Sequence, residues 1–267
     1  MGQRLGIIAG AGEFPRQAIA DARREGYHCI VAGIRGAAEE SLKREADAFA
    51  WIGPAEIGRL VTFFKAQDVR EAVLLGKVEH RTIFRPDLQE PDVAALLNVL
   101  PDRTPTTLLR SLIAYLGTQG ITVKDPSFLL RAYFCPPGVL GRTEPSAAVL
   151  ADIAFGWPLA RQLADLDIGQ TLVVKDRAVA GVESLEGTNE TIARSGRLAG
   201  PGVVVLKVGR TGQDMRLDVP AVGLETLRAL VRVRAAALAF EAATMPFFQK
   251  DEALTMAEAN GIAVIAR

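Results

Sequence analysis

Leu5-Gly6-Ile7-Ile8-Ala9, running into Gly10-Ala11-Gly12, is the stretch that decides the fold: a short apolar run broken by a small-residue turn. Residues 15–24 follow with helical spacing and end near Gly26. Residues 28–33 are apolar again, residues 56–66 read as a helix, and residues 71–75 as another short strand. Short apolar strands alternating with amphipathic helices predict a parallel sheet covered on both faces. Residues 106–117 add a helix with Gly120 just past its end.

The pattern then changes. Cys135-Pro136-Pro137-Gly138-Val139-Leu140-Gly141, with Pro145 close behind, reads as a linker. The sequence therefore predicts an α/β protein with a Rossmann-like N-terminal domain (1–134), a linker (135–145) and a mixed α/β C-terminal domain (146–267). In the second domain, residues 146–166 read as a helix bent by Gly156 and Pro158. Residues 170–175 and 179–183 read as a hairpin turning at Asp176-Arg177. A short helix (190–195), an apolar strand (203–208), a long Ala/Leu/Arg helix (224–240) and a last strand (262–265) complete it.

The chain has 267 residues, 49% of them hydrophobic and 23% charged, enough for a substantial core. Its 31 basic residues balance 31 acidic ones, which removes the usual electrostatic argument for nucleic acid. Cys29 and Cys135 are the only cysteines, too few for a disulfide framework, so a cytoplasmic setting is expected. No apolar stretch is long enough to span a bilayer.

Several familiar motifs are incomplete. Gly10-Ala11-Gly12 starts a dinucleotide fingerprint, but Pro15 stands where the third glycine belongs. A tight turn opening a helix still aims N–H groups outward, where a phosphate fits. Gly76-Lys77 is not a P-loop, since Glu71 replaces its first glycine; Lys77 at a strand end remains a candidate anion contact. With His28 and His80 the only histidines, a His-rich dinuclear centre is excluded.

Two segments carry the chemistry. In Gly212-Gln213-Asp214-Met215-Arg216-Leu217-Asp218-Val219-Pro220, a strand over 215–219 would bury Met215, Leu217 and Val219. It would put Asp214, Arg216 and Asp218 on one polar face. An extended strand also holds Asp214 and Asp218 roughly 13 Å apart at about 3.3 Å per residue. Either Gly212 and Gln213 therefore bend the chain, or only one aspartate is a metal ligand; Asp218 is favoured, because the Pro220 and Gly223 turn puts it at the strand's end. In Glu183-Ser184-Leu185-Glu186-Gly187-Thr188-Asn189, Thr188 or Asn189 would cap a helix, and Glu186 would stand beside its N-terminus. Lys207 ends the apolar strand with a cation. An oxygen-ligated Mg²⁺, or Mn²⁺, with one or two carboxylates and substrate phosphates suits this set.

These residues resemble the LpxI family. The similarity rests on Glu186-Gly187-Thr188, the segment 212–220, Ile8-Ala9-Gly10-Ala11-Gly12, Leu75-Gly76-Lys77-Val78 and Asp167-Ile168-Gly169-Gln170, in consistent order from about residue 5 to residue 265. The resemblance implies a divalent-metal hydrolase that cuts UDP-2,3-diacylglucosamine to lipid X and UMP, with its site between two domains. It implies water directed at the β-phosphorus and maps the critical aspartate onto Asp218. The catalytic expectation is thus Asp218, Asp214 and Glu186, with Asp218 on the metal. Gly10, Ala11, Gly12, Lys77, Thr188, Asn189, Lys207, Gln213 and Arg216 are the substrate contacts. Asn189 stands where the family usually has aspartate, and Thr106 and Thr107 replace an acidic pair, so those two threonines receive no role. A lipid substrate implies peripheral contact with the inner face of the inner membrane, and base rates imply a homodimer. The competing readings are an NAD-type oxidoreductase and a non-catalytic nucleotide-sugar binder.

Overall fold

A computed structural model describes residues 2–12, 14–76 and 105–267. Its contacts divide the chain into two units: Met1–Leu130 with Asp214–Val219, and Arg131–Gln213 with Pro220–Arg267.

The first unit alternates β1 (Arg4–Ala9), α1 (Phe14–Arg24), β2 (His28–Ile34), α2 (Leu42–Glu45), β3 (Ala48–Ile52), α3 (Ile57–Ala66), β4 (Glu71–Leu75), α4 (Pro105–Thr118) and β5 (Thr122–Val123). The strands lie in the order β3-β2-β1-β4-β5, and every pairing is parallel. Alternation along β1 explains why both faces need cover. Leu5, Ile7 and Ala9 pack with Ala18, Ile19 and Ala22 of α1, while Ile8 packs with Leu60 and Phe64 of α3 and Leu116 of α4. Each leucine, isoleucine or phenylalanine among them, fully buried, contributes about 1.5–3 kcal/mol. α1 stops where Gly26, at φ 86°, lets the Tyr27 N–H return to the Ala22 carbonyl at 3.0 Å.

The second unit holds β6 (Gly138–Leu140), α5 (Ala147–Asp165), β7 (Thr171–Lys175), β8 (Ala178–Val182), α6 (Thr188–Ala199), β9 (Val204–Lys207), α7 (Leu224–Val233), β10 (Ala237–Phe240), α8 (Lys250–Ala259) and β11 (Ala263–Ala266). Its sheet runs β6-β11-β10-β9-β7-β8. β9, β10 and β11 are parallel; β7 is antiparallel to β8 and β9, and β6 to β11. α5 covers one face, with Val149, Ile153 and Ala160 against Leu172, Val174, Val204 and Leu206. Gly156 permits the approach, since a Cβ there would lie 2.3 Å from Leu206 Cδ1. The opposite face buries Val173, Val205 and Leu238 under Ile192, Leu227, Leu230 and Ala253 of α6, α7 and α8.

Three expectations need correction. The stretch 135–145 is not simply a linker: Cys135 is buried, and residues 138–140 pair with β11 as an edge strand. The helix expected over 224–240 ends at Val233, because Arg234 turns left-handed at φ 51° and the Ala235 N–H closes on the Leu230 carbonyl. Ala237–Phe240 is instead a central strand, and its apolar run matches a helix only because both its faces are buried. The short helix expected over 190–195 extends across Thr188–Ala199.

Candidate functional site

In the second unit a buried polar cluster forms where β9 ends. Lys207 pairs in register with Thr171 and is only 7% exposed. Its Nζ donates to Thr188 Oγ1 at 3.1 Å, and Thr188 Oγ1 donates to Glu183 Oε1 at 3.0 Å. Thr171 Oγ1 lies 3.3 Å from the same oxygen. The Thr188 hydroxyl has one proton, and the carboxylate can only accept, so Thr171 donates to Thr188. The second Glu183 oxygen is buried with no hydrogen-bond partner among the described residues.

This arrangement corrects the expected cap. Gly187, at φ 81°, is the N-cap of α6, and Thr188 is its first helical residue. Freed from capping, the Thr188 hydroxyl joins the buried cluster, while Asn189 is exposed on the first turn. Glu186 is already committed: its Oε1 accepts from Arg194 Nη2 at 2.7 Å and from Thr191 Oγ1 at 3.3 Å. Its own backbone N–H, then Arg194, holds the carboxyl below the usual range. That weakens Glu186 as a proton acceptor.

The loop after β9 is pinned from several sides. Glu241 accepts the Gly209 N–H at 2.8 Å and pairs with Arg161 of α5 at 2.7 Å. Arg161 also donates to the Gly209 carbonyl. Asp165 accepts the Thr211 N–H at 2.6 Å, and Arg210 pairs with Asp167 at 2.7 Å. Gln213 Oε1 accepts the Arg210 N–H at 3.2 Å, so the amide expected to meet substrate also braces this loop.

In the first unit, Gly10, Ala11 and Gly12 lie where β1 and β4 end, the point at which strand order reverses. The Gly10 N–H donates to the Leu75 carbonyl at 2.7 Å. Gly76 sits at φ 84°, where a Cβ would come within 2.7 Å of the Ala11 carbonyl oxygen. α1 starts beyond this turn with no acidic residue in its first turn. Lys77 lies outside the described residues.

The segment 214–219 is a turn, not the expected strand. The N–H groups of Leu217 and Asp218 both donate to the Asp214 carbonyl, at 3.0 and 3.4 Å. Asp214 Oδ1 accepts the Arg216 N–H at 3.1 Å and Nε at 2.9 Å, and Oδ2 accepts Nη2 at 2.8 Å. The chain therefore curls, and the expected separation of the two aspartates does not apply. Exposure still alternates: Arg216 and Asp218 are exposed, while Met215, Leu217 and Val219 are half-buried. Arg216 first, with Arg110 of α4 also contributing, holds the Asp214 carboxyl below its ordinary value. Asp214 in turn pushes Arg216 up, helped by Asp125.

Among the described residues no three His, Cys, Asp or Glu side chains converge as a metal nest. No described helix is long and apolar enough to cross a membrane. The sequence did not single out Thr171, Arg194 or the Arg161–Glu241 pair, and it gave Glu183 no role; their partners lie at separations that no helical or strand period marks.

Comparison with known proteins fits both units. Residues 4–133 match the LpxI N-terminal domain and residues 136–265 the LpxI C-terminal domain. A protein of Caulobacter vibrioides, "UDP-2,3-diacylglucosamine pyrophosphatase LpxI", is 26% identical over 98% of this chain and 97% of its own. Among solved structures, the biotin carboxylase subunit of pyruvate carboxylase is 13% identical with a TM-score of 0.29; the likeness covers 74% of this chain but only 42% of that one. A GalE-like L-threonine dehydrogenase from Cupriavidus necator is 12% identical over 96% of this chain and 93% of its own, with a TM-score of 0.31. Matched through both of its domains, the chain belongs to the LpxI family.

Proposed function

We propose that this protein is a hydrolase of a phosphoric anhydride, cleaving UDP-2,3-diacylglucosamine to 2,3-diacylglucosamine 1-phosphate (lipid X) and UMP in lipid A biosynthesis. The observation that carries the substrate is the end-to-end relation to a protein named for that reaction. The chain's own geometry supports the chemistry. Lys207, bonded to Thr188, which in turn donates to Glu183, offers a buried cation to an anionic substrate where α6 begins. The Gly10–Gly12 turn offers backbone N–H groups at a helix start.

Asp218, exposed on its turn, is the residue proposed to carry turnover. Asp214 and Glu186, each paired with an arginine, are weaker proton acceptors in the proposal. Arg216, Lys207, Thr188, Asn189, Gln213 and Lys77 complete the proposed substrate contacts. Mg²⁺, or Mn²⁺, is the proposed ion, because such ions need only one or two protein carboxylates and fill the rest of their coordination with water and phosphate oxygens. Asp218 would hold it, and the ion would neutralise charge on the diphosphate. Water adds to the β-phosphorus as the bond to the bridging oxygen breaks. The new oxygen stays on the sugar phosphate and UMP leaves.

Peripheral contact with the inner face of the inner membrane and a homodimer belong to the same proposal. A diacylated substrate is presented by a bilayer, and Leu166, Ile168 and Leu185 stand 69, 47 and 96% exposed. The test is hydrolysis of UDP-2,3-diacylglucosamine in ¹⁸O-labelled water with Mg²⁺, Mn²⁺ or chelator. Metal-dependent release of UMP with label in lipid X is expected; label in UMP would move the attack to the other phosphorus. Absence of hydrolysis under every metal would overturn the proposal.

A further inference from the structure

We infer that Asp214 is a positioning residue: its carboxylate, clamped by Arg216, folds the 214–218 turn that presents Asp218, and does not itself bind metal or take a proton. Five hydrogen bonds within the turn converge on residue 214. Three reach its carboxylate from the backbone and guanidinium of Arg216, and two reach its carbonyl from Leu217 and Asp218. A carboxylate has about four acceptor positions, so Arg216 occupies most of them.

The Arg216 N–H bond is the local i to i+2 contact by which an aspartate bends its own chain away from a strand. Its geometry depends on a single methylene between Cα and carboxylate. Glutamate keeps the charge but carries the oxygens one bond further out. Asparagine loses the charge but keeps an acceptor oxygen where Oδ1 lies. Charge on neighbouring elements favours the same placement. Arg110, on α4, acts on Asp214, and Asp125, just before a 3-10 turn at Pro126–Leu129, acts on Arg216. The resulting signs alternate among these four residues of the first unit.

The catalytic half of the inference rests on the proposed pyrophosphatase reading; the turn-folding half does not, and the two are read separately. In the full-length protein, amide hydrogen exchange at Leu217 and Asp218 reports the turn without any substrate. Asp214→Ala and Asp214→Glu are expected to speed that exchange tenfold or more, as estimated for loss of a local contact worth roughly one net hydrogen bond, while Asp214→Asn leaves it within threefold. With Mg²⁺ and UDP-2,3-diacylglucosamine, kcat should follow the same order. Asn should stay within about fivefold of wild type, Ala and Glu should fall about thirtyfold or more, and KM should be nearly constant.

A metal ligand or base gives the opposite ranking, because Glu keeps that chemistry and Asn abolishes it. Glu retained with Asn lost would overturn the inference, as would unchanged exchange in Asp214→Ala. If wild type shows no hydrolysis, the activity proposal fails, and the exchange ranking alone still decides the turn.

Discussion

Substituting Lys207 and Thr188 singly and together tests the buried cluster quantitatively. Both residues are 7% exposed and joined at 3.1 Å. A buried hydrogen bond to a charged donor is worth about 1.5–3 kcal/mol. Thr188→Val keeps the shape but removes the hydroxyl that accepts from Lys207 and donates to Glu183 Oε1, so it should cost about 2–3 kcal/mol. Lys207→Met keeps an apolar stem of similar length. It removes the buried charged donor to Thr188, and should cost about 1.5–3 kcal/mol. Because Thr188 bridges Lys207 to Glu183, the double variant should lose less than the sum, with a coupling of about 1–2 kcal/mol.

The chain divides into two units, so unfolding should be read from one of them. Trp51 and Trp157 are the only tryptophans, and Trp157 packs with the α5 core. In a Trp51→Phe background, Trp157 fluorescence through a guanidinium titration follows the second unit. A coupling below about 0.3 kcal/mol would mean the two side chains act independently, and the cluster would not be a unit.

Gly156→Ala should be close to neutral or destabilise the second unit by up to about 2 kcal/mol in the same titration. The helix gains about 1 kcal/mol from losing a glycine, against about 1–3 kcal/mol for pressing a Cβ onto Leu206 and Val174. Gly76→Ala should loosen the Gly10 turn, read as faster exchange of the Gly10 amide, since it adds left-handed strain to a 2.7 Å clash. The Asp214 carboxyl is held low, so its pairing stabilises the turn above the ordinary carboxylate pKa and is lost as pH falls through the lowered one. Protection at Leu217 should therefore survive below about pH 4, and Arg216→Gln should move its loss upward in pH. Burial, then Asp47, pushes the Cys29 thiol up to about 11, and burial raises Cys135. Neither should react with a thiol reagent at pH 8 until the protein is denatured.

β1, β2 and β4 were readable because each is a short apolar run bounded by glycine or charge, and α1, α3 and α4 because each carries an apolar stripe. The short α2, β3 and β5 were not singled out. Residues 71–75 coincide with β4, and Asp176-Arg177 turns the β7–β8 hairpin at φ 52° and 57°. The misreadings share one cause: a local conformation that residue type does not announce. Arg234 ends α7 left-handed without a glycine, so residues 235–240 looked like more helix. The alternation over 215–219 is real in exposure, yet the Asp214 side chain competes for the backbone and curls it. Gly187 took the cap that Thr188 or Asn189 was expected to make, which hid the link from Thr188 to Glu183 and Lys207. Cys135-Pro136-Pro137-Gly138 has a linker's composition, but its continuation closes a sheet edge, where proline and glycine are tolerated.

One substitution bears on the whole account. In Asp218→Ala, single-turnover hydrolysis of UDP-2,3-diacylglucosamine with saturating Mg²⁺ should fall by about 10³-fold or more, as expected when a group acting at the reacting phosphate is removed. Substrate binding and the unfolding midpoints should stay near wild type. A folded, substrate-binding variant that still turns over within tenfold of wild type would take Asp218 out of the chemistry.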